Sequence, residues 1–227
     1  TLDNHAYGKW TIQQADGGVI FDTDAENVRF RDTRVMQGES QILVNGTTAL
    51  SGSPADLHVQ SNRVVDRDLQ PFLDRNAGGT FSGDLHVTSL SPTVRLEGDV
   101  QANNLSIDKR LIGDARGHVR FLDPVVEVEG LSVRQNQSTL SGDAVYNRVT
   151  SALKFSARAS SVDVSMFRDF GLPESLTGFI RQAEFSGNGA TRQPNIQGNA
   201  TVENLSFYGE VFPQARVNLS SVESKLT

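Results

Sequence analysis

The chain of 227 residues contains no cysteine, so disulfides, thiolate metal sites and cysteine nucleophiles are excluded together. The compartment stays open, because a chain without thiols suits an oxidising and a reducing environment equally. Aromatic residues make up only 7%, with Trp10 as the one tryptophan and Tyr7, Tyr146 and Tyr208 as the three tyrosines. A polysaccharide-binding surface, which would need aromatic platforms, is poorly supplied. Twenty-one Lys and Arg stand against 27 Asp and Glu, a net charge of −6, and the cations are scattered. No basic field exists to collect phosphates, and nucleic acid is not an expected partner. No run approaches the roughly 18 to 20 apolar residues that cross a bilayer, and no charged-then-apolar leader stands at the amino end.

Catalytic signatures are absent as well. There is no GxSxG, Walker loop, GxGxxG or HExxH, so no catalytic residue, no cofactor and no enzymatic role is expected. Ser186–Ala190 reads SGNGA, but it lacks a third glycine and does not lead from a buried strand into a helix. His5, His58, His86 and His118 are far apart in sequence, and three of them precede valine in strand-like HV pairs. They are read as polar-face strand residues, with no metal site expected. Asp22 and Asp24 resemble half of a calcium loop without its glycine and terminal glutamate. Glu127 and Glu129 alternate with valines and are read as a solvated strand face.

What the chain has in abundance is alternation of apolar and polar residues, the pattern of strands with one buried face. It is clear over residues 41–44, 55–60, 84–88, 94–102, 117–121, 152–159 and 215–219. Sets rich in Gly, Asn, Ser and Pro (ADGG, NGTT, SGSP, NAGG, SGD twice, SGNG) recur about every 8 to 14 residues and are read as the turns of an antiparallel meander. Helical spacing is confined to two short stretches, 66–75 (DRDLQPFLDR) and 163–170 (DVSMFRDF), read as caps over a sheet. Roughly 16 to 20 strands at about 4.8 Å each would extend roughly 75 to 95 Å.

A repeat is the most specific feature. Residues 91–107 read SPTVRLEGDVQANNLSI and 193–207 read QPNIQGNATVENLSF, with Gly98, Asn104, Leu105 and Ser106 matching Gly198, Asn204, Leu205 and Ser206. Upstream, GGTFSGDLHVTSLSP matches LTGFIRQAEFSGNGATRQP. Two cassettes result, 55–108 and 152–209, each ordered as strand, short helix, glycine-rich hairpin, proline-started strand and NLS. Parity adds a physical constraint. Val94, Leu96, Val100 and Ala102 are even-numbered, whereas Leu105 and Ile107 are odd; Ile196, Ala200 and Val202 are even, whereas Leu205 and Phe207 are odd. Since side chains alternate with period two, a bulge or tight bend is required between 102 and 105 and between 202 and 205, where asparagine suits a positive φ. Gly98 and Gly198, on the inward face, would let the sheet bend sharply.

These cassettes resemble the repeating units of the TamB and AsmA-like proteins of diderm bacteria, over most of the chain and most closely over residues 56–219. The resemblance implies an all-β fold, a long curled antiparallel-rich sheet forming an open hydrophobic groove (a β-taco, solenoid-like) with two short helices. It also implies that residues 1–227 are an interior segment of a longer, inner-membrane-anchored periplasmic protein. The expected partners are phospholipid acyl chains and an outer-membrane β-barrel of the insertase superfamily, with membrane association through regions outside the segment. The implied role is phospholipid transport between the two membranes, or protein secretion, translocation and assembly in outer-membrane biogenesis. No residue is carried over as catalytic.

Alternation taken together with that resemblance gives the expected lipid-groove lining: Leu57, Val59, Leu85, Val87, Val94, Leu96, Val100, Ala102, Leu105, Val119, Phe121, Leu153, Phe155, Ile196, Ala200, Val202, Leu205, Phe207, Val217 and Leu219. The same pattern is also what a closed β-helix or sandwich needs for a core, and that alternative implies a structural or adhesive extracellular module.

Overall fold

The computed structural model describes residues 2–7, 10–69, 76–164, 175–191, 193–222 and 225–226. It is all-β. The strands are β1 (Leu2–Tyr7), β2 (Trp10–Asp22), β3 (Asn27–Gln37), β4 (Ser40–Ala49), β5 (Ala55–Val65), β6 (Ala77–Ser89), β7 (Arg95–Ile107), β8 (Arg110–Leu122), β9 (Val125–Gln135), β10 (Ser138–Asn147), β11 (Ala152–Asp163), β12 (Thr177–Ala190), β13 (Gln193–Phe207), β14 (Glu210–Val222) and β15 (Lys225–Leu226). The chain divides into two units, Thr1–Val126 and Glu127–Thr227. In each unit the strands lie side by side in chain order and the first does not pair with the last, so neither sheet closes. Successive strands pair antiparallel from β1 to β8 in the first unit and from β10 to β15 in the second.

Among the described residues there are fifteen strands against the 16 to 20 expected, and most are longer than the alternating runs suggested. Of the presumed turn sets, SGSP (51–54) is a turn, but ADGG, NGTT, both SGD sets and SGNG lie inside β2, β4, β6, β10 and β12, and NAGG opens β6. The stretches read as glycine-rich hairpins are therefore single strands, β6 and β12. Their glycines face bulky neighbours across the ladder. Gly83 pairs with Val100 and Gly187 with Ile196, while a Cβ at Gly187 would stand only 2.5 Å from the Phe155 ring. A glycine can thus serve as the floor under a neighbour's side chain as well as a turn former.

The two expected cassettes contain β5, β6 and β7, followed by β8, and β11, β12 and β13, followed by β14. Of the two expected helices, the first is a single turn, α1 (Asp66–Leu69), and its expected continuation over 70–75 lies outside the described residues. The second does not begin at Asp163, which is the last residue of β11, and 165–174 lie outside the described residues. Among the described residues no helix is long and apolar enough to cross a membrane.

The required face switches occur where parity places them. Asn104 and Asn204 have φ of 52° and 50°. The β7 to β8 register shifts between Ala102 and Leu105, and the β12 to β13 register shifts between Thr177 and Phe179, opposite 206 and 203. A left-handed residue turns its amide out of the ladder, where another acceptor can take it. Here a side chain of the following strand is that acceptor. Asp114 Oδ1 accepts from the Asn104 amide at 2.9 Å, Asn45 Oδ1 accepts from that of Asp32 (φ 45°) at 2.7 Å, and Asp143 Oδ1 accepts from that of Gly130 (φ 60°) at 2.9 Å.

Candidate functional site

The register assembles the inward residues into rows that run across the strands. In the first unit Leu57, Val87, Leu96 and Phe121 are successive partners, and so are Val59, Leu85, Gly98 and Val119; Val100 lies between Gly83 and Gly117, and Ala102 between Phe81 and Ala115. In the second unit Phe155, Gly187 and Ile196 form one row, Ala157, Phe185 and Gly198 another, and Val162, Ile180, Val202 and Ala215 a third. In some rows a large side chain stands beside a glycine, as Leu85 and Val119 flank Gly98 and Phe155 and Ile196 flank Gly187. The larger member covers the smaller one, and the apolar face is continuous within each unit.

Burial sorts the twenty candidate lining residues. Leu57, Val87, Ala102 and Val202 are buried. Val59, Leu85, Val94, Leu96, Val100, Leu105, Val119, Phe121, Leu153, Phe155, Ile196, Ala200 and Leu205 are half-buried. Phe207 and Val217 are exposed, at 42% and 37%. Phe207 ends β13, and its ring packs edge-on against Tyr208 in the turn instead of into the sheet, with centroids 4.5 Å apart. Val217 pairs with Ala200 on one side, but β15 reaches only Ser221 and Val222 on the other. The side chain of Leu219 lies outside the described residues.

Two packed patches lie within this face. One gathers Ala159, Val162, Val164, Ile180, Ala183 and Val202, with Leu140 and Phe185 against them; the other gathers Ala55, Leu57 and Val87, with Phe30, Val44 and Leu96 against them. Ile180 and Ala183 were not among the sequence candidates. Simple alternation along β12 fails there because the strand bulges between Ile180 and Gln182, and the neighbouring Phe179 is exposed.

The opposite face is polar and carries cross-strand ion pairs: Arg120 with Glu97 at 3.3 Å, Arg158 with Glu184 at 3.1 Å and Arg181 with Glu203 at 2.9 Å. All are exposed, and such pairs contribute about 0.2–1 kcal/mol each. This face is concave in places. A cavity of about 900 Å³ in the second unit is lined mainly by polar-face residues, among them Ser141, Asp143, Ser156, Arg158 and Glu184. A second, of about 500 Å³, lies among Gln41, Gln60, Asn62 and Arg63 in the first unit.

One sequence reading about this face is corrected. The histidines were taken as too dispersed to form a ligand set, yet the antiparallel register places His58 directly opposite His86. Their rings stack with centroids 4.9 Å apart and planes 8° from parallel, and His86 Nε2 lies 2.8 Å from Asp56 Oδ1. Residues 28 apart in sequence become neighbours by strand pairing, which linear spacing does not reveal. His118 pairs separately with Asp99, Nδ1 to Oδ1, at 3.0 Å.

Compared with known proteins, the chain matches no family model, no curated protein and no solved structure.

Proposed function

We propose that the apolar face is a lipid-contacting trough and that the chain is a segment of a TamB/AsmA-like envelope protein. In this reading it conducts phospholipid between the inner and outer membranes, or supports outer-membrane protein assembly together with a β-barrel partner. The observation that carries the reading is the half-exposed state of Leu96, Val100, Val119 and Phe121. These side chains form adjacent rungs of β7 and β8 in an unclosed sheet, while Arg95, Glu97, Asp99 and Gln101 between them are exposed on the other side. A surface that is dry on one side only gives an acyl chain a place to lie. Each methylene removed from water contributes about 0.8 kcal/mol, so contact with a few rungs holds a chain without creating one deep trap. The resemblance of the two cassettes supports the same reading, including the periplasmic, inner-membrane-anchored setting.

A second reading, a structural or adhesive module whose apolar face only fills its own core, is favoured by the patch around Ala183 and Val202, which are 1% and 4% exposed. That patch is packed shut and offers lipid no surface. The two readings separate at Val100, which is half-buried beside two glycines. Val100→Asp in the purified chain is expected to fold and to lower retention of a fluorescent phospholipid about tenfold or more. A folded V100D protein that retains as much phospholipid as the parent overturns the lipid reading and leaves the structural one.

A further inference from the structure

We propose that Asp56, His58 and His86 form a binding site for a first-row divalent transition-metal cation, with Zn²⁺ as its probe. Asp56 and His58 are two residues apart on β5, so their side chains share one face of the sheet. His86 on β6 is the direct partner of His58 and reaches Asp56 Oδ1 with its Nε2 at 2.8 Å. One donor atom from each of the three lies within 4.8 Å of the other two.

Tetrahedral zinc with bonds of about 2.0–2.1 Å holds its ligand atoms roughly 3.3 Å apart. His86 and Asp56 are already near that separation. The remaining approach is made by His58, which is exposed and turns its ring out of the stack on His86 to reach the ion. Two imidazoles and one carboxylate suit zinc, nickel or copper, whereas calcium and magnesium take oxygen-rich shells. The fourth position is left to water.

The flanking strands do not compete for the three groups. Asn45, opposite His58 on β4, holds the Asp32 amide with its Oδ1, and Glu97, opposite His86 on β7, is paired with Arg120. On binding, the cation takes the place of the proton between His86 Nε2 and Asp56 Oδ1, and His86 remains a neutral ligand with its ring proton on Nδ1. The result is a clip between β5 and β6 on the polar face. It does not depend on lipid contact, because Leu57, Val59, Leu85 and Val87 point to the other side.

The test is calorimetric titration of the tag-free chain with ZnCl₂ near pH 7.5, with Ca²⁺ and Mg²⁺ in parallel. Saturable binding of one Zn²⁺ is expected, weakened about tenfold or more in His58→Ala and in His86→Ala and unchanged in His118→Ala. Zn²⁺ is also expected to raise the unfolding midpoint of the parent and not that of H86A. Circular dichroism checks that the variants fold, which their position on an exposed face favours. Absence of saturable Zn²⁺ binding, or equal affinity in the parent and both variants, overturns the site.

Discussion

Gly98 has φ of +154°, and a Cβ built on it would collide with the Asp84 carbonyl oxygen and stand 2.9 Å from the Leu85 Cα. The β6 backbone therefore passes directly over this position, and only hydrogen fits. Gly130 offers a contrast: its φ is +60°, but a Cβ there meets nothing within 4 Å. Gly98→Ala is expected to cost about 3 kcal/mol, from steric displacement added to backbone strain, and Gly130→Ala about 1 kcal/mol, from strain alone. Urea unfolding of both variants measures the difference; equal costs would mean that the close approach of β6 is not what requires glycine at 98. The bulge amides give a second expectation. Asp114→Ala removes the acceptor of the Asn104 amide and is expected to destabilise by about 1 kcal/mol, with Asp114→Asn recovering most of the loss. An unchanged urea midpoint in D114A would show that water satisfies that amide as well as the carboxylate does.

Strands were readable wherever alternation ran unbroken. Residues 55–60, 117–121 and 152–159 lie within β5, β8 and β11, and the face switches at Asn104 and Asn204 followed from parity alone. What misled was glycine. The same residue that ends a strand in SGSP sits mid-strand in NGTT and SGD, where it accepts a neighbour's backbone or side chain; local composition does not distinguish the two, because the deciding atom belongs to another strand. The histidine cluster was hidden for the same reason, since register is a property of pairs of strands. Within the apolar face, alternation did not pick out Ile180 and Ala183 beside the bulge between Ile180 and Gln182, nor the buried Ala55, Ala159 and Val162, while two residues that it did pick out, Phe207 at the end of β13 and Val217 beside a short partner, are exposed. Burial within one face is uneven, and that separates two substitutions with the same chemistry. Val202→Asp places a charge at a site 4% exposed, among Ile180 and Ala183, and is expected to cost more than about 3 kcal/mol or prevent folding. Val100→Asp, at a half-buried site, is expected to cost roughly half as much. Thermal unfolding of the pair checks the order, and V100D as the more damaging change would contradict the assigned burial.

Within each unit, adjacent strands, apolar rows and polar ladders extend in one direction without closure, so each sheet has two unlike surfaces. In the second unit the apolar surface is packed shut around Ala183 and Val202, and in the first it is half-exposed along β7 and β8. Function is assigned to that half-exposed stretch, and the claim is directional: lipid touches one face and not the other. Leu96 and Glu97 are adjacent in β7 and point to opposite faces, half-buried and exposed respectively. A photoreactive amino acid placed at each in turn, in chain produced in cells and recovered with its lipids, reads that direction by mass spectrometry. The account predicts phospholipid adducts at position 96 and none above background at 97. A folded protein that yields no adduct at 96, or equal adducts at both positions, would contradict it.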